Sequence, residues 1–175
     1  WIYETRHTAS GEKGKVNYII WSDVFICSNC SSEIVFWDSA VDRSLGKIKD
    51  SIECQNCGAN HTKSNLDRVW LSEFSTADNS IVKKAKQIPV LINYTVEGKR
   101  YEKRPDAEDL ALVDKINGLE IDEAAGETII PDGFNTRQPK LSHGVSRVRD
   151  FYTKRNFYAL SALRQSLPKD RVGKA

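Results

Sequence analysis

All four cysteines of this 175-residue chain fall in two short pairs, Cys27-Ser-Asn-Cys30 and Cys54-Gln-Asn-Cys57. Each pair follows a segment with strand character, so the chain is expected to turn back tightly with its backbone amides pointing at the sulfurs. Two such turns, brought together by a hairpin, form the tetrahedral four-thiolate site that Zn²⁺ favours. The pattern therefore predicts a structural zinc site with Cys27, Cys30, Cys54 and Cys57 as ligands. Such a closed site has no open position for a catalytic water.

Other roles for paired cysteines fit this sequence less well. Two disulfides would need an oxidising compartment, and the N-terminus has no secretion signal. A redox pair usually opens a helix in a βαβ unit, whereas these pairs flank strands. An iron–sulfur cluster also uses four cysteines, but two pairs separated by 23 residues suit zinc better. His61 is an alternative ligand; with four cysteines present, we expect it to be a surface residue.

The formal net charge of +2 conceals an acidic block followed by a basic block. Residues 106–132 contain nine acidic residues and one lysine, a net charge of −8. Residues 134–175 contain ten lysines and arginines against two aspartates, a net charge of +8. Two interpretations stay open. Either the blocks pair with each other or are simply solvated faces, or the basic block contacts phosphate groups and gains affinity by releasing counterions.

The composition excludes membrane-spanning and disordered chains. No apolar run approaches the ~18 residues that a membrane helix requires. Gly and Pro, at 10 and 5 residues, are too few for a low-complexity segment, and 4 Trp, 6 Tyr and 6 Phe favour a packed core. We therefore expect a folded cytoplasmic protein. Because the chain begins Trp1-Ile2-Tyr3 and contains no Met, we also expect it to be a piece of a longer protein.

The first two thirds of the chain have the β-branched and aromatic runs of strands, and the last third has helical spacing. The predicted elements are strands at 15–26, 33–37 and 47–53, a strand or helix at 66–74, a hairpin of 89–96 and 99–104 around Glu97-Gly98, a helix at 106–117 ended by Gly118, a loop at 119–133, and a helix at 150–167 ended by Pro168. On the last helix, Tyr152, Ala159, Leu160, Leu163 and Leu167 share one face.

The predicted fold class is α+β, an antiparallel zinc ribbon plus a β-hairpin and two helices. The predicted segments are an N-terminal lead-in (1–15), a zinc-ribbon domain (16–75), a connector and hairpin (76–105), an acidic helix and loop (106–133), and a basic segment with a C-terminal helix (134–175).

The sequence contains no recognisable catalytic constellation. It has no glycine-rich phosphate loop, no G-x-S-x-G and no H-E-x-x-H motif. Ser142-His143 is a side-by-side pair rather than a triad, and Asp106-x-Glu108-Asp109 is typical of a helix N-terminus. We therefore predict neither catalytic nor cofactor-binding residues in this chain.

Several segments resemble an internal stretch of bacterial site-specific DNA methyltransferases that modify adenine N6 or cytosine N4. The resemblance extends from Trp1 to about Leu167, and several of its motifs, such as Tyr152-Thr-Lys-Arg-Asn156, are specific. The segments that carry it are 17–30, 33–37, 89–94 and 150–160. Two signatures of these enzymes are missing here: the glycine-rich loop for S-adenosylmethionine and the tetrapeptide with two adjacent prolines that holds the target amino group.

The resemblance implies a zinc-bearing, non-catalytic region of a methyltransferase whose catalytic core and S-adenosylmethionine site lie outside this chain. Such a region would contact double-stranded DNA and the rest of the methyltransferase. An enzyme that flips a base out of the duplex must also hold the backbone, and basic residues suit this task. The candidate phosphate contacts are Arg137, Lys140, Arg147, Arg149, Lys154 and Arg155, with His143 as a pH-dependent addition.

Two other hypotheses remain. In the first, the chain is an interaction module in which the ribbon and the acidic helix dock another domain or subunit without touching DNA. Each candidate DNA contact is then an ordinary surface charge. In the second, the chain is a small intact enzyme, which the missing motifs disfavour.

Overall fold

The computed structural model describes residues 1–75, 79–121 and 126–167. The chain forms two compact units, Tyr3–Pro105 and a second unit made of Trp1–Ile2 with the chain from Asp106 onward. The fold is mixed α and β with antiparallel sheets, as predicted. The described residues contain four α-helices, however, where the sequence predicted two. None of these helices has the length and apolar character needed to span a membrane.

The strands of the described residues lie in Tyr3–Pro105. In chain order they are β1 (Glu4–Arg6), β2 (Lys13–Ile26), β3 (Glu33–Val35), β4 (Val41–Asp42), β5 (Lys47–Ile48), β6 (Ile52–Glu53), β7 (Asn60–His61), β8 (Asp67–Arg68), β9 (Trp70–Ser75), β10 (Ser80–Ala85), β11 (Gln87–Val96) and β12 (Lys99–Lys103). The helices are α1 (Phe36–Ala40), α2 (Ala107–Asn117), α3 (Phe134–His143) and α4 (Lys154–Ser166).

Strand β2 organises the first unit because its 14 residues pair with different partners along their length. Residues 15–23 run antiparallel to β11, which in turn pairs with β12. Residues 24–26 pair instead with β3 and β8. The sheet order is β1-β2-β11-β12, with β3 and β8 joined to β2. Strand β2 therefore links the larger part of the sheet to the first cysteine pair, which follows it directly.

The predicted hairpin of β11 and β12 is confirmed. Both turn residues have left-handed backbone conformations, Glu97 at φ 48° and Gly98 at φ 80°. Positive φ at both positions defines the turn whose twist matches that of antiparallel strands. Gly98 is thus a sequence signal for this turn, whereas Glu97 adopts its left-handed conformation without the usual glycine or asparagine.

Two apolar clusters lie in this unit. The first, which we call the cysteine-centred core, contains Phe25, Cys27, Ile34, Ala40, Ile52, Cys54 and Leu66. The second, which we call the sheet core, contains Val16, Ile92, Tyr94 and Val96. Two of the four cysteines are therefore core residues, so the conformation of the cysteine turns depends on the same packing that stabilises the surrounding strands.

Gly14 permits the close approach of strand β2 to Tyr94 in the sheet core. A Cβ atom at Gly14 would lie 2.6 Å from Tyr94 Cδ2 and 3.0 Å from Val96 Cγ2. We expect Gly14→Ala to destabilise the protein by about 1–3 kcal/mol, because buried Tyr94 must shift to relieve the clash. Chemical denaturation measures the free energy of unfolding of the variant and of the wild type. Gly118→Ala is the control, since its Cβ would meet atoms no closer than 3.6 Å. Equal stability of the two variants would contradict the prediction.

In the second unit, α2 begins with a capping box. Asp109 N donates to Asp106 Oδ1 at 3.0 Å, and Asp106 N donates to Asp109 Oδ2 at 3.0 Å. Gly118 ends the helix as predicted, but in a right-handed conformation with φ −81°. The predicted helix of residues 106–117 is thus confirmed, except that Asp106 is the capping residue and the helix itself begins at Ala107. Ile116 is the apolar residue that the helix buries.

Helix α3 was not predicted. Its sequence, Phe-Asn-Thr-Arg-Gln-Pro-Lys-Leu-Ser-His, is polar and contains Pro139, which removes one backbone donor from the helix interior. Gly144, with φ 73°, ends it in the left-handed conformation typical of a helix C-terminus. Residues 126–133 are non-helical as predicted, and Ile129 forms an isolated antiparallel bridge with Arg147.

Helix α4 starts later than predicted. Residues 148–151 form a 3₁₀ turn, and Asp150 Oδ2 accepts from Arg147 N at 2.8 Å, so Asp150 caps that turn rather than α4. Thr153 caps α4 by accepting from Asn156 N. The helix buries Phe157 and Ser161, whereas the apolar side chains expected to share a face are largely exposed, including Leu160, Leu163 and Leu167. Pro168 lies outside the described residues.

Two predicted strands differ from the structure, and one ambiguous segment proves to be strand. Only Glu33–Val35 of residues 33–37 is a strand, because Trp37 N donates to Ser22 Oγ at 2.9 Å and the chain enters α1. Residues 47–53 are split, since β5 pairs with β4 and β6 pairs with β7. The ambiguous segment at 66–74 forms strands β8 and β9, and β9 pairs with β10 as an additional hairpin.

Candidate metal centre

Both cysteine pairs sit on turns of the same construction. In the first, Ser31 N donates to Cys27 O at 2.9 Å, and in the second, Gly58 N donates to Cys54 O at 2.8 Å. Ser31 and Gly58 occupy equivalent positions with φ 59° and 72°. The first turn follows β2, and the second follows β6, as the sequence predicted. Two equivalent loops thus present their cysteines to one location.

The four sulfur atoms form a compact cluster. All lie within 4.8 Å of one another, and the Cys27–Cys57 and Cys30–Cys54 sulfur pairs are each 3.7 Å apart. A tetrahedron with Zn–S bonds of ~2.3 Å has sulfur–sulfur edges of ~3.8 Å. A disulfide would place two sulfurs ~2.0 Å apart, so the cysteines are free thiols. The donor set and its spacing fit a four-coordinate metal ion.

Two asparagines connect the turns reciprocally. Asn29 Nδ2 donates to Cys57 Sγ, and Asn56 Nδ2 donates to Cys30 Sγ, each at 3.5 Å. Asn29 and Asn56 occupy the third position of their respective pairs, so the contacts repeat with approximate twofold symmetry. These contacts were not predicted from the sequence, and the repeated Cys-x-Asn-Cys pattern is the signal that could have indicated them. Each turn therefore helps to orient the last cysteine of the other.

Ser32 and His61 complete the set of polar side chains at the sulfurs. Ser32 Oγ lies 3.0 Å from Cys30 Sγ and 3.2 Å from Cys54 Sγ. His61 Nε2 lies 3.2 Å from Cys27 Sγ. His61 is only 6% exposed, so the expectation of a surface histidine is wrong. Pairing of β7 with β6 turns its side chain toward the cysteines, a placement that a search for ligand spacing does not detect.

The surroundings affect the thiols unequally. Burial raises the pKa of the Cys27 thiol to about 11. Hydrogen bonding, first from the Ser32 hydroxyl and then from Asn56, lowers the pKa of Cys30 to about 5. Ser32 likewise lowers the pKa of Cys54. Since the thiolate is the metal-binding form, polar contacts at Cys30 and Cys54 favour the ligand state.

Protein sulfurs would occupy every position of a tetrahedral ion in this cluster. Cys27 and Cys54 are at most 1% exposed, and Cys57 is the exposed member. A fully protein-ligated ion has no vacant position for a substrate or a water, so an ion held here would have a structural role rather than a catalytic one. It would crosslink two turns that the sequence separates by 23 residues.

Several candidate DNA contacts take part in the second unit's own packing. Lys140 Nζ lies 2.5 Å from Asp132 Oδ1, and Arg147 Nη1 lies 2.7 Å from Glu127 Oε2. Arg149 also pairs with Glu127. These ion pairs join the acidic block to the basic block. The Lys140 ammonium lowers the pKa of Asp132.

The remaining candidates are distributed differently. Arg155 is buried, at 8% exposure, and His143 Nδ1 lies 2.7 Å from Ser142 Oγ. Lys154 is half-buried, and Arg137 is exposed on α3. The seven basic residues therefore do not form a single exposed surface, and Arg137 and Lys154 are the ones best placed for a phosphate in solution.

The chain matches no protein family, no curated protein and no solved structure. Interpretation of the cysteine cluster therefore depends on its geometry and on the chemistry of its donors.

Proposed function

We propose that the chain is a zinc-ribbon region of an S-adenosylmethionine-dependent DNA methyltransferase, which contributes to DNA binding or target recognition without taking part in catalysis. The observation that supports it best is the four-sulfur cluster, in which all sulfurs lie within 4.8 Å of one another and two of their distances, at 3.7 Å, match a tetrahedral zinc site. S-adenosylmethionine would bind to the remainder of the enzyme. Double-stranded DNA and that remainder are the proposed partners.

Zinc is the metal that fits best because the donors are four thiolates. Soft sulfur ligands in a tetrahedral arrangement select zinc or iron–sulfur chemistry, whereas Mg²⁺ and Ca²⁺ take oxygen. The two-turn construction closes around a single ion. Binding would couple to folding, since the thiolates of an unfolded chain are far apart.

The proposed DNA contacts are Arg137 and Lys154, which the structure leaves at or near the surface. Lys154 opens α4, within the segment most similar to the methyltransferases. Arg147 and Arg149 already have a carboxylate partner in Glu127, so their contribution to phosphate binding would require breaking an internal ion pair. Phosphate contacts position a protein on the duplex without reading its sequence.

Binding of the protein to duplex DNA is expected to weaken as salt rises, because each phosphate contact releases condensed counterions. Arg137→Ala combined with Lys154→Ala should lower the slope of log K against log salt by about 2. Fluorescence anisotropy with a labelled duplex at several salt concentrations measures the slope. Lys99→Ala with Arg100→Ala, on the exposed β-hairpin, is the charge-matched control and should leave it unchanged.

Salt-independent binding, or no binding by the wild-type protein, would count against a DNA contact. An unchanged slope in the Arg137 and Lys154 variant would instead indicate that DNA contacts another surface of the protein. Charge reversal at Arg147 and Arg149 is a poorer test, since it would place new negative charges beside Glu127.

A docking role without DNA is the second candidate, and the β9–β10 hairpin favours it. Its strands expose Phe74 and Ile81, which pair across the hairpin and are 63% and 71% exposed. Trp70 and Leu71 near the other end are 40% and 43% exposed. Exposed apolar side chains on a two-stranded hairpin are typical of a protein contact. Under this hypothesis the Arg137 and Lys154 variant binds the partner protein as well as the wild type does.

A further inference from the structure

His61 is a buried histidine held at the cysteine cluster by strand pairing. Its backbone lies in β7 opposite Ile52, two residues before Cys54. The side chain reaches the other cysteine pair, where Nε2 is 3.2 Å from Cys27 Sγ and Nδ1 is 3.5 Å from Ser28 Oγ. His61 thus lies in the strand that follows the second cysteine turn, and its side chain contacts Cys27, the first cysteine of the first turn.

We infer that His61 donates an Nε2–H hydrogen bond to the Cys27 thiolate and thereby strengthens retention of the metal ion. This inference rests on the proposed zinc site. His61 acts in it as a positioning residue, since it touches a ligand and not the metal.

The distances favour this role over direct ligation. A nitrogen and a sulfur bound to the same zinc, at ~2.05 Å and ~2.3 Å, would lie ~3.6 Å apart in a tetrahedron. The observed 3.2 Å between His61 Nε2 and Cys27 Sγ is shorter and suits a hydrogen bond. Four sulfurs within 4.8 Å of one another, with two of their distances at 3.7 Å, also provide a complete tetrahedral donor set without a nitrogen.

The chemistry explains why a donor is useful at Cys27. Its residue is 0% exposed, so water does not solvate its charge. Side-chain donors also reach the other sulfurs: Ser32 reaches Cys30 and Cys54, and Asn29 reaches Cys57. A charge-assisted hydrogen bond delocalises part of the thiolate charge in this buried site. With Nε2 as the donor, Nδ1 is left to accept from the Ser28 hydroxyl.

Zinc competition against a chromophoric chelator tests the inference. His61→Phe removes the N–H donor and is expected to weaken zinc binding about 10–100-fold, the usual effect of losing a partner of a metal ligand. His61→Gln keeps an N–H group at similar reach and should recover most of the affinity. His7→Phe is the matched control, because His7 contacts Tyr94 in the same unit and not the cysteines.

Cobalt substitution provides a second readout. If His61 is a donor, the wild-type protein and His61→Phe will show the same four-thiolate absorption spectrum, with weaker cobalt binding in the variant. A His61→Phe spectrum that indicates one protein ligand fewer at cobalt would show that His61 is a ligand and would overturn the donor role. Zinc affinity of folded His61→Phe within twofold of wild type would overturn it as well.

The outcomes separate this inference from the proposed zinc site. Absence of zinc binding by the wild-type protein would overturn both. Normal wild-type binding with no effect of the substitutions would overturn the role of His61 alone. If His61→Phe does not fold, His61→Gln decides: near wild-type affinity supports the donor role, and a loss of tenfold or more contradicts it.

Discussion

Removal of zinc by a chelator is expected to unfold the cysteine-centred core while the sheet core stays folded. Metal analysis should first find one zinc per chain. Cys27 and Cys54 belong to the cysteine-centred core, whereas Val16, Ile92, Tyr94 and Val96 form a separate cluster. At a free zinc concentration of about 1,000 times Kd, binding stabilises the folded state by about 4 kcal/mol, which chelation removes.

Hydrogen exchange resolves the two cores. Amides of Cys27, Cys54 and Gly58, which donate within the cysteine turns, should lose up to ~1,000-fold of their protection on chelation. Amides in β11 should change much less. Cys27→Ser with Cys54→Ser is the control, since the chelator should have no further effect on a protein that cannot bind zinc. Unchanged protection in the wild-type turns would contradict a structural metal.

Replacing Glu127 with glutamine is expected to destabilise the second unit by about 3 kcal/mol. The carboxylate of Glu127 pairs with both Arg147 and Arg149, whose side chains are 10% and 18% exposed. Its loss removes the carboxylate that both guanidinium groups contact, and removing one side of a largely buried ion pair is strongly destabilising. Arg147 also donates to the Glu127 carbonyl oxygen at 2.7 Å, a bond that the variant retains.

The local amides provide the measurement. Ile130 N donates to Ser146 O and Val148 N donates to Thr128 O, so both report on opening around Glu127. A loss of 3 kcal/mol corresponds to more than 100-fold faster exchange. Asp132→Asn is the matched control, because Asp132 is 93% exposed and its pair with Lys140 is a surface contact of small energetic value. Equal acceleration of amide exchange by both substitutions would contradict a larger stabilising contribution from the Glu127 ion pairs.

The sequence was most informative where a residue type restricts the backbone or the chemistry. The two Cys-x-x-Cys pairs, the Glu97-Gly98 turn and the acidic start of α2 each depend on local features. Helix α3 has no such signal, because Pro139 and a polar sequence oppose the usual helical pattern. Trp37 has strand propensity, but the contact from Ser22, 15 residues away, places it in a helix.

At the candidate metal centre too, features that depend on nearby residues were predictable, whereas contacts between residues far apart in the sequence were not. Cysteine spacing predicts the ligands, and the repeated asparagine is a further local signal. The contact of His61 with Cys27 spans 34 residues and depends on the pairing of β6 with β7, which spacing does not encode. Similarly, the charge blocks were visible, but the specific pairing of Glu127 with Arg147 and Arg149 required the tertiary structure.

The length of strand β2 has a consequence during protein synthesis. Its residues 15–23 pair with β11, which begins at Gln87, 64 residues after Asp23. At about 5–20 residues per second, the ribosome needs roughly 3–13 s to add that stretch. During this interval the apolar side chains of β2 and the first two thiols have no complete fold around them. The second cysteine pair, by contrast, is synthesised before β11, so the two cysteine turns can meet while the sheet core is still incomplete.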